Sequence, residues 1–386
     1  MKPGGFDADR IRSIHLELTT QCNARCPMCA RTGRGATRAG LAMTELSLDD
    51  IHRIFPGPFL RTLESIDLCG AFGDPLVSGS LDEIIRYFRA EHPALKLDIY
   101  TNASLRPPEW WARLPALLGP AGKVCFGIDG LADTHALYRV NTSFETILRN
   151  AGTFIENGGR AQWDFIAFRH NQHQVEDARR LARSMGFETF SVKVSGRFFR
   201  RLYEEMPELD EPQHGLDLFP VYSRNGEHLH DLQPPDAPGL RNATVERLQA
   251  LGSGNDGLET TFDTCPINCL TIERGSYFIS AEGTAFPCCW TAIASKYGTA
   301  FGMKEASNLR VSNLLTEHGG PAAIDARQRP LAEIVRGPFF TALAESWQAP
   351  SVTDGRPKIC ARMCGECFSP RHAYTDPALS PYAKKV

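Results

Sequence analysis

Three cysteines crowd one short stretch, "TTQCNARCPMCART" at residues 19–32. Cys22, Cys26 and Cys29 are spaced by three residues and then by two. Thiolates are soft ligands that select zinc, copper(I) or iron–sulfur clusters. A structural zinc site takes four ligands in a tetrahedron, and this stretch supplies three. The nearest histidine, His15, is seven residues upstream of Cys22 and reads as an ordinary strand residue. A four-iron cluster held by three closely spaced thiolates fits the pattern differently: one iron stays open to a small ligand, which turns an electron carrier into a reaction site.

The other cysteines are clustered too. Cys265, Cys269, Cys288 and Cys289 form one group and Cys360, Cys364 and Cys367 another, while Cys69 and Cys125 stand apart beside apolar runs, where a buried thiol behaves as a small hydrophobe. Twelve cysteines in a small exported domain would read as disulfides. Here the opening "MKPGGFDADRIR" has no apolar segment after its charges, so it is not an export signal. No run is long and apolar enough to span a membrane. The expected compartment is the cytoplasm, and the expected use of the thiols is metal or redox chemistry. Lysine plus arginine number 42 against 45 acidic residues, a balance without the basic surface that nucleic-acid binding needs. With 386 residues, 42% of them hydrophobic, the chain is globular and long enough for a large core and an appendage.

The elements that must position these residues alternate. "SIHLEL" (13–18), "SIDLCG" (65–70), "KLDIYT" (96–101), "KVCFGID" (123–129), "QWDFIAF" (162–168) and "FSVKVS" (190–195) read as strands. Helical patterns lie between them. Ser47 with Asp50 and Ser80 with Glu83 have capping-box spacing, Asn171 is a candidate N-cap, and Gly186 a helix end. Such alternation implies parallel β/α units, in an open or partial barrel or a doubly wound sheet. Residues from about 204 to 262, with "DLQPPDAPGL" and "LGSGNDGLE", read as connection. "YFISAEGTAFPCCW" reads as a hairpin.

With the motif placed after the first strand, the chain resembles the radical S-adenosylmethionine (radical SAM) superfamily. The resemblance implies a partial (β/α)6 TIM-like barrel over residues 10–215, a connector over 216–262, and a cysteine-rich region over 263–386. It implies that Cys22, Cys26 and Cys29 hold a [4Fe-4S] cluster whose open iron chelates S-adenosylmethionine (SAM). "CGAFGDPL" (69–76) resembles the family's Gly-Gly-Glu stretch, with Gly73 and Asp74 placed to meet the SAM amine, Asp74 being one methylene shorter than the usual glutamate. "YTNAS" resembles Thr-Asn-Gly, so Asn102 is expected at the ribose or carboxylate; "FGIDG" resembles Ser-x-Asp-Gly and makes Asp129 a candidate catalytic or SAM-facing residue. Met28 occupies the place beside adenine. "RHNQH" (169–173) and the arginines Arg197, Arg200 and Arg201 read as solvated caps and faces, and the histidines of "EHLHD" (227–231) as exposed.

Cys269, thirteen residues, Gly283, four residues and Cys288 resemble the opening of SPASM and twitch domains, which hold auxiliary [4Fe-4S] clusters. "PLAEIVRGPFFTALAESW" (330–347) resembles the helix that follows. The shorter twitch type, with one cluster on Cys269, Cys288, Cys364 and Cys367, is the expectation; Cys360 with Cys364 is the alternative last pair, and Cys265 and Cys289 are spares. A four-cysteine zinc site remains open from spacing alone.

The resemblance implies SAM as a partner, a reductant such as flavodoxin or ferredoxin, and hydrogen abstraction from a peptide or protein side chain. The barrel begins within about fifteen residues of the start, which counts against a leader-gripping N-terminal extension and leaves a separate docking protein open. Radical oxidation of a small alcohol, sugar or aminocyclitol is the second enzymatic reading. A zinc-binding or electron-transfer module is the non-enzymatic one.

Overall fold

The computed structural model describes residues 5–198, 218–242, 246, 255–296, 306–367 and 384–385. Six parallel strands follow one another in both sequence and space: β1 (Ser13–Leu16), β2 (Ser65–Leu68), β3 (Lys96–Thr101), β4 (Gly122–Gly127), β5 (Ala161–Ala167) and β6 (Thr189–Val194). The helices that return the chain are α1 (Leu48–Ile54), α2 (Leu81–Glu91), α3 (Pro108–Leu118), α4 (Phe144–Glu156) and α5 (Val175–Met185). A doubly wound sheet reverses its strand order at a switch point. This sheet never does, and right-handed crossovers in an unreversed order place every helix on one face. The arrangement is a partial barrel.

Side chains alternate across each strand. Ile66, Leu68, Leu97, Ile99, Trp163 and Phe165 are buried on the helix side. The opposite, concave side is polar. Lys123 Nζ lies 3.1 Å from Asp98 and 3.0 Å from Gln162 Oε1, Gln162 donates to Asp164 at 2.7 Å, and Lys193 is 3.5 Å from Asp164. Cys125 is buried on β4, but on this polar concave face, beside Asp164 and Lys123.

Local signals explain some helix ends and mislead at others. Ser47 and Asp50 form the expected capping box on α1, and α5 ends at Gly186 with φ +87°. Ser80 makes no side-chain cap to α2: its backbone, at φ −93° and ψ 6°, is not extended as a capping residue's is. Glu45 accepts from Ser78 Oγ and Gly79 N there instead. Asn171 does not cap α5 either. Its side chain turns inward to accept from Phe168 N and donate to Ile166 O, and α5 starts four residues later.

Residues from the cysteine-rich region join this sheet. β7 (Ser276–Ile279) runs parallel to β1, and β8 (Ala285–Phe286) turns back antiparallel to β7, the hairpin expected there. Lys384–Lys385 pairs antiparallel with β6. Beyond β8 come α6 (Cys289–Ser295), α7 (Pro338–Ser346) and α8 (Lys358–Cys364). The 330–347 stretch is two helices, Leu331–Val335 and α7, because Gly337 and Pro338 break and restart it. A two-stranded ribbon, Phe219–Tyr222 with His228–Leu232, occupies part of the expected connector, with His228 exposed and His230 half-buried against Leu137 O. The 215/216 boundary, Arg200 and Arg201 lie outside the described residues. Among those described, no helix is long and apolar enough to cross a membrane.

Candidate functional site

The three-cysteine loop leaves β1 at the C-terminal edge of the sheet, the edge where barrel folds carry their chemistry. Thr20 Oγ donates to Ala42 O and accepts from Thr44 N, which ties the loop's first turn to the following segment. Cys29 N donates to Cys26 O at 3.0 Å, closing a tight turn between two of the thiols. Asn141 donates to Asn23 O at 2.6 Å from the far side. Burial, then the neighbouring Arg139 and Cys29, act on Cys26, and the net effect pushes its thiol up to about 11. Burial also raises Cys22, with Asp74 and the other two thiols adding to it.

The 69–76 loop is stitched beneath. Glu17, the residue after β1, is almost fully buried; its Oε1 accepts from Phe72 N at 2.6 Å and Gly73 N at 3.2 Å. Burial pushes this carboxyl up to about 7, against the pull of the loop's N–H groups. Gly73 is needed for the fit: a Cβ there would lie 1.8 Å from Thr19 O.

Asp74 is held by a dense set of hydrogen bonds. Its oxygens accept from Leu76 N (3.0 Å), Thr101 Oγ (2.9 and 3.0 Å), Asn102 N (2.8 Å) and Asn102 Nδ2 (2.7 Å). A carboxylate has about four acceptor positions, so little is left for an amine. Being one methylene short, it stays among the backbone donors and fixes Asn102. Asn102 in turn sits beside the cysteines, with Nδ2 3.0 Å from Asn23 Oδ1 and 3.7 Å from Cys22 Sγ.

Asp129 is likewise consumed. It is fully buried, Oδ1 accepts from Ile166 N at 2.5 Å, and Oδ2 accepts from Arg139 Nε at 2.5 Å. The group that faces the cysteines is Arg139, with Nη1 4.0 Å from Cys26 Sγ. Burial works against its charge, but Asp129 and Cys26 outweigh that and hold its pKa above the ordinary value. Gly127 makes room, since a Cβ there would lie 2.5 Å from Arg139 Nη2. Sequence reasoning missed Arg139. The signal was an arginine ten residues after the Asp-Gly turn, which carries no meaning until the fold brings it back.

Met28 is buried in an apolar wall with Tyr138, Phe168, Phe198 and Phe219. Arg197 is no solvated face: it donates to Met28 O and lies over Trp290. His170 is no solvated cap, being stacked on Phe168 with ring centroids 5.2 Å apart. His15 Nε2 donates to Cys69 O at 2.6 Å, a strand residue as expected.

The C-terminal thiols gather separately. Cys269, Cys288, Cys360 and Cys364 line one small apolar pocket with Trp290, Leu343 and Trp347. Burial, then Cys364, pushes the Cys288 thiol up to about 11. Of the two expected last pairs, Cys360 with Cys364 lines this pocket, while Cys367 lies against Cys265. Four residues apart on α8, Cys360 and Cys364 share one helix face, while Gly365 carries the chain away. Cys289, the next residue after Cys288, faces Cys69 and Glu17 on the barrel side. Among the described residues, no three His, Cys, Asp or Glu side chains converge as the ligands of one ion do.

No family model matches the chain. Over 82 residues it is 33% identical to a probable GTP 3′,8-cyclase of Methanococcus maripaludis; the match spans 21% of this chain and 26% of that protein. The crystal structure of Streptococcus suis SuiB bound to precursor peptide SuiA superposes with a TM-score of 0.51 at 12% identity, over 93% of this chain and 72% of that one. The chain has the radical SAM fold. Within that fold, the three-cysteine motif lies at the C-terminal edge of the sheet, and Asn102 and Arg139 approach its thiols.

Proposed function

We propose that the chain is a radical SAM enzyme, with the motif thiols placed beside Asn102 and Arg139 as the observation that carries the reading. The residues suit the group. Burial raises the Cys22 and Cys26 thiols, a cationic partner helps such groups become the thiolates a metal takes, and Arg139 adds a fixed positive charge next to Cys26. Cys22, Cys26 and Cys29 would hold a [4Fe-4S] cluster; with SAM bound at its open iron, such a cluster supplies an electron for cleavage to a 5′-deoxyadenosyl radical. The chain's own part is to bind and exclude. Asp74 locks Asn102, Asp129 locks Arg139, Glu17 locks the 71–73 loop, and the Met28–Tyr138–Phe168 wall closes one side to water.

The polar concave face of the sheet, with Asp98, Lys123, Asp164 and Lys193 beneath the motif, suits a polar substrate group over a bare alkyl chain. A peptide or protein side chain in a maturation pathway is the reading we favour, since the SuiB structure holds a precursor peptide; oxidation of a small alcohol or sugar is the second. The pocket of Cys269, Cys288, Cys360 and Cys364 supports an auxiliary [4Fe-4S] cluster in a twitch-like region. Elemental analysis after anaerobic reconstitution tests the assignment. About eight irons per chain, four per cluster, are expected, falling to about four in Cys269→Ala/Cys288→Ala. Zinc in place of iron at both sites would return the chain to the binding-module reading.

A further inference from the structure

Two thiols stand outside the four that line the C-terminal pocket. Cys265 is buried and Cys367 half-buried, and their backbones lie opposite each other. Ile267 and Gly365 form an antiparallel bridge. Glu366 N donates to Pro266 O, and Asn268 N to Cys364 O, each at 2.9 Å. These two bonds bracket Ile267 and Gly365 as a pair without mutual hydrogen bonds. Two residues outward stand Cys265, at the bend that ends a helix, and Cys367, in a turn. A disulfide spans Cα atoms roughly 4.4–6.8 Å apart, and the bridge two residues away holds the two segments side by side. The side chains already touch: Cys367 N donates to Cys265 Sγ at 2.7 Å, and the two thiols are hydrogen-bonded to each other. Gly365 permits the approach, because a Cβ there would lie 3.1 Å from Cys265 Sγ and 2.1 Å from Ala361 O.

We propose that Cys265 and Cys367 form a reversible thiol–disulfide site, separate from the pocket thiols, with low-molecular-weight disulfides as its oxidant. Cys367, the more accessible sulfur, reacts first. Its thiolate attacks one sulfur of the external disulfide, the S–S bond breaks, and the expelled thiolate takes up the proton that Cys367 released. Cys265 sulfur then attacks Cys367 Sγ, displaces the second small thiol and passes its proton to it. Two protein thiols have lost two electrons and two protons, and one external disulfide has become two thiols. The same ribbon places Asn268 against Cys364, with Cys269 next in the chain, so closing the bond fixes the segment that presents two of the pocket's thiols. The contact of Cys367 N with Cys265 Sγ carries this inference whatever the pocket holds.

The test uses the anaerobically reconstituted protein, incubated with oxidised glutathione, followed by thiol counting, peptide mapping and iron analysis. Loss of two thiols per chain, a Cys265–Cys367 cross-linked peptide, unchanged iron and reversal by dithiothreitol are expected. Cys265→Ser should stop at the mixed disulfide on Cys367, and Cys367→Ser should give no cross-link, both retaining wild-type iron. A cross-link between any other pair, or none at all, overturns the proposal. So does a fall of about four irons in Cys367→Ser, which would make the pair cluster ligands.

Discussion

At the scale of single residues, the site is governed by carboxylates that act on other groups. Asp129 is buried and spends both oxygens, one of them on Arg139. Removing one partner of a buried ion pair strands the other's charge and costs about 3–5 kcal/mol. Arg139→Gln should therefore lower unfolding stability by about that much, and Asp129→Asn added to it should recover part of the loss. Denaturant melts of the two single variants and the double variant measure the coupling; additive losses would mean that the pair does not interact. Glu17 makes a pH prediction. Its folded pKa, about 7, lies above the ordinary glutamate value. The folded state thus holds the proton more tightly than the unfolded one, and stability falls as pH rises from the ordinary glutamate pKa towards 7, then levels off. Glu17→Gln should flatten that slope in melts taken across the window; an unchanged slope would assign it to other groups.

At the scale of elements, the strand–helix alternation and the thiol motif were legible because both are local. Ser47 and Ser80 show where local reading ends. The two share spacing and chemistry, yet only Ser47 meets its helix N-terminus in extended backbone, while Glu45, far off in sequence, serves the start of α2. Ser47→Ala should cost about 1 kcal/mol, a typical loss for an N-cap, and Ser80→Ala a few tenths at most. Thermal melts of the two variants side by side check this; equal losses would mean that Ser80 caps in solution. Asn171 follows the same rule, its side chain drawn inward by unpaired backbone groups of β5 and the turn after it. Arg139 and the Cys265–Cys367 pairing were illegible for a related reason. Each gains its meaning from a contact between segments more than one hundred residues apart, Arg139 with Cys26 and Cys265 with Cys367.

At the scale of the whole molecule, β7 joins the C-terminal region to β1 through the sheet itself, pairing Ser13–Leu16 with Ser276–Ile279. The strand that launches the three-cysteine loop is thus flanked by β2 on one side and by the β7–β8 hairpin on the other, and the hairpin leads directly to Cys288 and α6. One continuous sheet carries both groups of thiols, which is how a redox centre in the C-terminal pocket would be held at a fixed separation from the motif. The account's central claim is that the motif thiols leave one iron open to SAM. Its most direct test is the formation of 5′-deoxyadenosine by the reconstituted protein under anaerobic conditions with SAM and dithionite, read by chromatography beside Cys26→Ala. The account predicts SAM-dependent product from the wild type and none from the variant, with Cys269→Ala/Cys288→Ala still active in this substrate-free cleavage. Wild-type yield from Cys26→Ala, or no product from an intact protein carrying its full iron, would contradict it.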